Sequence, residues 1–310
     1  MIIAFINQKG DPAPWRDVLT EEVPGLDFRV WPDEVGDPAE IDIAVVALPP
    51  PGLLKTFPNL KAILSMWAGV ESMLRDPDLP RDIPIGRLVD RAMTRDMTHH
   101  VVHWVLHYHR DAHHYAEQQR AGKWQSIPYP EATDRRVGIL GMGALGGDAA
   151  RALANLGFTV AGWSANPKSI DGVESFHGTN GLTPFLERTN ILVSLLPSTP
   201  TTEGLINRTT LAHLPAGAYF INAGRGGAVV DDDLIAALDS GAMARASLDV
   251  FRTEPLPADD PFWRHPKVDL TPHVASHTTP RTAGREVAED IRRVAAGGSP
   301  RNLVDLDRGY

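Results

Sequence analysis

Three polar residues in the second half of the chain have side chains suited to acid catalysis beside a bound carboxylate. Arg225, Glu254 and His273 each follow a short apolar run that ends in a polar junction. An arginine can bind a carboxylate through two hydrogen bonds or polarise a carbonyl. A carboxylate beside a histidine fixes its tautomer and raises its pKa, which makes a proton donor near neutral pH. Each residue alone suits a plainer role: a surface salt bridge, a solvated loop acid or a helix cap.

A glycine-rich turn lies ahead of these residues and favours the catalytic interpretation. The apolar run Arg136–Leu140 leads into Gly141-Met-Gly143-Ala-Leu-Gly146, and a helical pattern and a second apolar run, Thr159–Trp163, follow. The first glycine permits a tight turn, the second lets the backbone approach a pyrophosphate, and the third allows close packing of helix and strand. The helix N-terminus attracts the anion. In this strand–turn–helix context the motif predicts a dinucleotide site.

The segment after Thr159–Trp163 bears on the choice of cofactor. A site that prefers NAD carries an acidic residue at the end of the second strand, where it binds the ribose hydroxyl. Here the segment reads Trp-Ser-Ala-Asn-Pro-Lys and contains no carboxylate, whereas Ser164, Asn166 and Lys168 could donate to a 2′-phosphate. NADP(H) is therefore favoured, and NAD(H) stays open because no arginine stands there.

Short apolar and β-branched runs recur along the chain with helix-length segments between them. Runs that are apolar on both faces are typical of parallel strands in α/β units. The eleven runs are Ile2–Ile6, Phe28–Trp31, Ile43–Leu48, Ala62–Met66, Ile83–Val89, Arg136–Leu140, Thr159–Trp163, Ile191–Leu196, Tyr219–Asn222, Ala246–Val250 and Val268–Leu270. They fall into two sets, which predicts two α/β domains. The last helical stretch, His277–Ala296, has no strand partner after it and should pack on the first domain.

Composition excludes several classes of function. The 310 residues carry a formal net charge of −9, which repels phosphate backbones and argues against a nucleic-acid partner. The chain has no cysteine, so disulfides, thiolate metal sites and a cysteine nucleophile are excluded. No apolar run approaches the roughly 20 residues of a membrane span. The N-terminus has no basic start and suits a first strand rather than a signal peptide. We expect a soluble, cytoplasmic globular protein that binds neither nucleic acid nor membrane.

A histidine-rich segment, residues 98–119, is the most conspicuous feature that these arguments leave aside. It holds seven of the twelve histidines: His99, His100, His103, His107, His109, His113 and His114. Helical spacing predicts one amphipathic helix of about six turns with a histidine face. Zinc needs ligands that converge tetrahedrally, and one helix offers a line, so we expect no functional metal site. We hypothesise that a histidine face between the domains makes assembly pH-sensitive, since protonation near pH ~6.5 brings like charges together.

Five motifs occur in order in the second half of the chain. They are GMGALG (141–146), LLPSTPTTEGLIN (195–207), INAGRGGAVVDDDLIAALDSG (221–241), SLDVFRTEPLP (247–257) and TPHVAS (271–276). Together they resemble the D-isomer-specific 2-hydroxyacid dehydrogenase family. The AGVES stretch (68–72), the closing DRGY and the short first domain resemble the glyoxylate/hydroxypyruvate reductase A branch of that family.

The resemblance implies a fold and a reaction. The fold is α/β with two doubly wound parallel-sheet domains, in which a Rossmann cofactor domain (99–274) is inserted in a flavodoxin-like substrate domain (1–98 plus 275–310). The reaction is the NAD(P)H-dependent reduction of a small 2-oxo acid to the D-2-hydroxy acid. Arg225 would anchor the oxo acid and polarise its C2 carbonyl, His273 would give the proton, and Glu254 would be its partner.

The resemblance also implies binding residues and a partner. The residues expected to bind cofactor are Gly141, Met142, Gly143, Ala144, Leu145, Gly146, Trp163, Ser164, Lys168, Leu196, Pro197, Thr199, Ala223 and Asp249. Asp249 would hold the nicotinamide carboxamide. Backbone N–H groups of the loop Trp67-Ala68-Gly69-Val70 would bind the substrate carboxylate. Relatives are usually homodimers, so a homodimer is expected.

The sequence departs from that branch in ways that keep alternatives open. Trp67 stands where relatives usually have a small residue, and Ala47-Leu48 stands where the branch tends to have a Trp-His pair. Both changes make the pocket wall more apolar and favour a bulkier, more apolar 2-oxo acid as an alternative substrate. A non-catalytic dinucleotide-sensing protein is a further alternative, against which the intact set of Arg225, Glu254 and His273 argues.

Overall fold

The structure is a computed structural model, and it describes residues 1–8 and 10–309. The chain forms two compact units, one of residues 1–93 with 277–310 and one of residues 94–276. Within the described ranges, no helix is both long and apolar enough to cross a membrane.

The first unit is built on a five-stranded parallel sheet. Its strands are β1 (Ile2–Asn7), β2 (Asp27–Val30), β3 (Ile43–Ala47), β4 (Ala62–Ser65) and β5 (Ile85–Gly86). Its helices are α1 (Ala13–Glu22), α2 (Glu71–Leu74) and α9 (Pro280–Ala295), and α3 (Arg91–His109) begins at its edge. The strand order β2-β1-β3-β4-β5 is that of a flavodoxin-like sheet.

Burial on both faces explains why these short runs form parallel strands. Every residue of β3 and β4 is buried, so neither face is left for polar residues. Helix α9 packs against α1, and its buried residues, including Val287 and Ile291, join the core on one face of the sheet. The expectation that the last helix packs on the first domain is therefore confirmed.

The second unit is built on a seven-stranded parallel sheet. Its strands are β6 (Arg136–Leu140), β7 (Thr159–Ser164), β8 (Glu174–His177), β9 (Ile191–Ser194), β10 (Ala218–Asn222), β11 (Met243–Leu248) and β12 (Val268–Leu270). Its helices are α4 (Ala112–Arg120), α5 (Ala144–Asn155), α6 (Gly178–Glu187), α7 (Arg208–Leu211) and α8 (Asp231–Ser240), with most of α3. The order β12-β11-β10-β9-β6-β7-β8 reverses direction at β6, as in a Rossmann sheet. The predicted class, two doubly wound parallel sheets, is confirmed.

Two sequence predictions about individual elements were wrong. Strand β8 was missed, because Glu174–His177 is a mostly exposed edge strand without an apolar run. The continuous helix over 98–119 was also wrong. Helix α3 ends at His109, and α4 begins at Ala112 after Asp111, whose φ of 51° lies in the left-handed region. A residue in that conformation ends a right-handed helix, and Asp tolerates it better than most residues.

Candidate active site

Glu254 and His273 form a hydrogen-bonded pair beside the sheet of the second unit. His273 Nδ1 lies 2.6 Å from Glu254 Oε2. The other carboxylate oxygen, Oε1, accepts a 2.9 Å hydrogen bond from the Phe251 backbone N–H. Because the carboxylate is fixed at both oxygens, it can hold the ring with Nδ1 protonated and leave Nε2 to face a reacting group. The His273 side chain keeps 50% of its surface exposed, so a small molecule can reach it.

The backbone around His273 is held in an unusual conformation by Asp249. His273 has a φ of 55°, and its N–H donates to the Asp249 carbonyl at 2.8 Å. The Asp249 carboxylate accepts hydrogen bonds from Thr271 Oγ1 (2.6 Å), Val274 N (2.8 Å) and Ala275 N (2.9 Å). Asp249 is 1% exposed, so these bonds form away from water. A left-handed non-glycine residue is typical of functional sites, where surrounding structure imposes the strain.

Arg225 follows β10 and is held by a turn that Asn222 organises. The Asn222 amide donates to the Arg225 carbonyl at 3.2 Å and accepts from the Gly224 N–H at 3.3 Å. The Arg225 guanidinium donates to the Gly224 carbonyl at 2.8 Å, which bends the side chain over its own turn.

The three predicted catalytic residues share one edge of the sheet. Arg225 follows β10, Glu254 follows β11 and His273 follows β12, and these three strands are consecutive neighbours with parallel pairing. The carboxyl ends of parallel strands meet at one edge, which is where open α/β sheets bind ligands.

The glycine-rich turn has the geometry that a pyrophosphate needs. Gly141 has a φ of 99°, and a Cβ there would lie 2.7 Å from the Leu195 carbonyl. A Cβ on Gly146 would lie 1.9 Å from the Gly141 carbonyl, so only glycine allows α5 to pack this closely. Gly143 caps α5, and a Cβ there would meet nothing within 4 Å. Open space therefore adjoins the helix N-terminus, where backbone N–H groups can receive an anion.

The other residues predicted in this turn differ in accessibility. Met142 is buried and packs over Gly162, since a Cβ on Gly162 would lie 2.2 Å from its sulfur. Ala144 and Leu145 form the first turn of α5, with Ala144 exposed and Leu145 partly buried. Met142 therefore contributes packing, whereas the backbone of the first turn of α5 is the part positioned for phosphate.

The end of β7 carries the residues expected to select the cofactor. Trp163 is buried, and its indole donates to the Gly178 carbonyl at 2.9 Å. The Ser164 hydroxyl donates to the Asn166 carbonyl at 2.6 Å, and Lys168 lies exposed in the loop that follows. Lys168 is thus the cation at this strand end that is placed to meet a phosphate from solvent.

The loop that follows β9 is held by hydrogen bonds to a threonine hydroxyl. Leu196 and Thr199 are buried, and Pro197 is partly exposed. The Thr202 hydroxyl donates to the Pro197 carbonyl at 2.6 Å and accepts from the Thr199 N–H at 2.9 Å. Ala223, directly after β10, is also buried. One buried hydroxyl therefore satisfies two backbone groups of this loop.

The first unit holds the residues predicted to bind the substrate carboxylate. Trp67, Ala68 and Gly69 follow β4, and the Trp67 side chain is 37% exposed. The Ser65 hydroxyl donates to the Trp67 carbonyl at 3.0 Å and accepts from its N–H at 3.1 Å. Ala68 packs against the core of that unit. The loop begins at the carboxyl edge of the first sheet and is anchored by Ser65.

Comparison with known proteins identifies the family. Residues 102–275 match the model of the D-isomer specific 2-hydroxyacid dehydrogenase, NAD binding domain. The chain is 39% identical to the glyoxylate/hydroxypyruvate reductase A of Serratia proteamaculans and 42% identical to that of Klebsiella pneumoniae, in each case over the whole of both proteins. The chain belongs to the D-isomer-specific 2-hydroxyacid dehydrogenase family.

Solved structures of this 2-hydroxyacid dehydrogenase family are similar over their full length. One from Xanthobacter autotrophicus, in complex with NADPH and MES, superposes with a TM-score of 0.96 at 44% identity and covers 100% of this chain and 99% of its own. The NADPH-dependent glyoxylate/hydroxypyruvate reductase of Sinorhizobium meliloti, with NADP and sulfate, gives 0.93 at 39% identity and full coverage of both chains.

Sequence reasoning missed two residues that position this dehydrogenase's candidate site. Asn222 holds the turn that bears Arg225, and it is the first residue of the N-x-x-R-G motif in this chain. Thr202 fixes the loop after β9, but it is one of five threonines at positions 199–202 and 209–210, so the sequence alone does not distinguish it.

Proposed function

We propose that this chain is an NADPH-dependent reductase that converts a small 2-oxo acid of the glyoxylate or hydroxypyruvate type into the D-2-hydroxy acid. The observation that carries the proposal is the Glu254–His273 hydrogen bond at the same sheet edge as Arg225 and in the same unit as the glycine-rich turn. Curated relatives of this length are named as glyoxylate/hydroxypyruvate reductases, which supports the substrate class.

In this mechanism His273 supplies the proton. The Glu254 carboxylate accepts from Nδ1 and so directs the protonated Nε2 toward the substrate oxygen. As C2 is reduced, its carbonyl oxygen gains negative charge, and proton transfer from Nε2 completes the hydroxyl group. Glu254 stabilises the imidazolium before the transfer and keeps the ring oriented afterwards.

Arg225 acts on charge rather than on protons. Its planar guanidinium offers several N–H donors, so it can bind the substrate carboxylate and polarise the adjacent carbonyl at once. Asn222 positions it through the turn, and the bond from the guanidinium to the Gly224 carbonyl is exchanged for one to substrate.

The residues present fit a bound NADPH. When bound, the nicotinamide supplies the hydride that reduces C2. Gly143 leaves room for the pyrophosphate at the N-terminus of α5, and Lys168 offers a cation to the 2′-phosphate. The complexes of two relatives with NADPH and NADP support this preference, and NAD(H) stays the second candidate. The roles of the remaining predicted contacts, Asp249 among them, are part of the proposal.

A second candidate substrate class rests on Trp67. Its large, partly exposed side chain adds apolar surface to the loop proposed to bind the substrate carboxylate. An apolar wall favours a 2-oxo acid with a larger apolar side chain, since each buried methylene contributes about 0.8 kcal/mol. In both substrate classes the backbone N–H groups of Ala68 and Gly69 would bind the carboxylate of the substrate.

One assay tests the activity and the substrate together. Purified protein is mixed with NADPH or NADH and with glyoxylate, hydroxypyruvate or phenylpyruvate, and nicotinamide absorbance is followed. We expect turnover with NADPH and a higher kcat/KM for the two small acids. A higher kcat/KM for phenylpyruvate would favour the apolar class. NADPH binding without turnover of any acid would favour a dinucleotide sensor and end the enzyme proposal.

Assembly and location complete the proposal. We infer a homodimer, which is supported by exposed aromatic side chains on the segment after α4, where Trp124 is fully exposed and Tyr129 is about half exposed. Tyrosine and tryptophan are enriched at protein interfaces. A cytoplasmic location is proposed with it. Sedimentation and cell fractionation test the two statements separately.

A further inference from the structure

The break between α3 and α4 brings three metal-ligating side chains together. One ligand atom each from Asp111, His113 and His114 lies within 4.8 Å of the other two. In a continuous helix, residues at i and i+2 point to different faces and cannot converge. The left-handed Asp111 changes the direction of the chain, so its carboxylate joins the two histidines of the first turn of α4.

His113 carries an unsatisfied group in this cluster. It is 6% exposed, and its Nδ1 is buried without a hydrogen-bond partner among the described residues. A buried polar atom without a partner destabilises a fold, and in a native structure it calls for an explanation. A neutral imidazole has one ring nitrogen with a free lone pair, which makes histidine a common metal ligand.

We propose that Asp111, His113 and His114 form a binding site for Zn²⁺. Two imidazole nitrogens and one carboxylate oxygen are the donor types that zinc takes, and water completes a tetrahedron at three-ligand sites. An ion bound there would be ligated by a ring nitrogen of the buried His113 and would balance the charge of the buried Asp111 carboxylate. It would also tie the start of α4 to the residue that ends α3.

The exposure of the three side chains suits entry and exchange of the ion. Asp111 and His113 are buried, whereas the side chain of His114 is 50% exposed. With zinc–ligand bonds of about 2.0–2.1 Å, tetrahedral ligand atoms lie about 3.4 Å apart. His114 can close the remaining distance by a change of rotamer, because it lies at the surface. Its present neighbour is Glu117, whose carboxylate lies 3.7 Å from His114 Nδ1.

A rival site on the same segment provides a matched control. His99 and His103 are exposed and lie at i and i+4 on α3, a spacing that can hold a metal through two ligands. Among the described residues, no third ligand atom lies close enough to this pair to complete a set like that of Asp111, His113 and His114. It should bind weakly and without the protection of burial.

The test is zinc titration of the full-length protein without an affinity tag. After removal of metals by a chelator, calorimetry should show one Zn²⁺ per chain at the cluster. Asp111→Asn keeps a residue that tolerates the left-handed backbone and removes the charge. His114→Ala removes an exposed ligand without disturbing the core. Each should weaken the site at least tenfold, whereas the His99→Ala/His103→Ala double variant should bind as the parent does.

Thermal unfolding gives a second readout that separates the site from surface binding. A ligand that binds the folded state alone raises Tm with its concentration. Zn²⁺ should raise the Tm of the parent and of the His99/His103 double variant, but not that of His114→Ala. The proposal is overturned if zinc binding is absent, if Asp111→Asn and His114→Ala bind like the parent, or if the double variant loses the site.

Discussion

His273 and the histidines of α3 and α4 occupy opposite environments in the same unit. His273 stands alone after a strand, keeps half of its side chain in solvent and shares a hydrogen bond with Glu254. His107, His109 and His113 lie on the segment of α3 and α4, and each has a buried ring nitrogen without a hydrogen-bond partner among the described residues. Burial lowers the pKa of all three, so they remain neutral at pH 7.

In the proposed mechanism, the position of a histidine in the fold, rather than the number of histidines, decides which one donates the proton. A proton donor needs a carboxylate to orient it, contact with the reacting molecule and a fixed backbone. His273 has the carboxylate partner and the fixed backbone, because Glu254 holds its ring and Asp249 holds its loop, and its side chain is half exposed to solvent. The α3 segment instead places Val101, Val105 and Tyr108 in the core, so its main role is to support the sheet.

Removal of the imidazole at position 273 should give the largest effect and tests the comparison directly. We expect His273→Ala to lower kcat by about 10²–10⁴-fold, which is the usual contribution of general acid–base catalysis. NADPH affinity, measured by fluorescence titration, should stay within about twofold, because the ring is not part of the glycine-rich turn. The His99→Ala/His103→Ala double variant should keep the parent kcat. Near-native turnover by His273→Ala would show that another group gives the proton.

Loss of the partner carboxylate should have the next largest effect. Glu254→Gln keeps the size of the side chain and a hydrogen-bond acceptor but removes the charge that stabilises the imidazolium. We expect kcat to fall by roughly 10²-fold at neutral pH, at the lower end of the acid–base range. Asp259→Asn, a change in an exposed acid of the same loop region, serves as the control. Equal kcat for Glu254→Gln and the parent would mean that the hydrogen bond only shapes the loop.

These residues also mark what the sequence could predict. Arg225, Glu254 and His273 were identifiable because each combines a reactive side chain with a strand end, and strand ends follow from apolar runs. The division into two α/β units followed from the same pattern of runs and helices, whereas the doubly wound arrangement of the sheets was implied by the family resemblance. Strand β8 could not be found this way, since pairing with β7 rather than apolar content makes it a strand.

The helix break and the hydrogen bonds of buried polar residues could not be predicted from the sequence pattern. Helical periodicity continues across Asp111, while Tyr108 and His113, on either side of the turn, both pack against the distant Tyr219. The three bonds that Asp249 accepts come from residues 22 to 26 positions away. Such distant pairings are set by topology, which a local pattern does not contain.

A buried hydroxyl pair tests whether α3 acts as scaffold. The Tyr108 hydroxyl hydrogen-bonds to Ser247 Oγ of β11, and both residues are buried. Tyr108→Phe leaves the serine hydroxyl without this partner and should lower the free energy of unfolding by about 1–3 kcal/mol. Urea unfolding measures the loss, while kcat should stay within about twofold. The double variant with Ser247→Ala and Tyr108→Phe should recover part of the loss, because no buried hydroxyl is then left without a hydrogen-bond partner. A fall in kcat larger than the fall in folded fraction would place α3 in the chemistry.

Acid sensitivity should give the smallest effect and sharpens the contrast between buried and exposed histidines. Burial lowers the pKa of His100 in the folded state, although the charge of Asp249 opposes the shift and His103 adds to it. The unfolded chain then binds the proton more readily, so stability is fully present above pH ~6.5 and falls as the pH drops below it. His100→Gln removes this titration and should reduce the loss in urea midpoint between pH 7.5 and pH 5.5. His99→Gln changes an exposed neighbour one residue away and should leave that loss unchanged. If both variants lose as much as the parent, burial at position 100 does not set the acid response, and the contrast would then rest on the more deeply buried histidines of the segment.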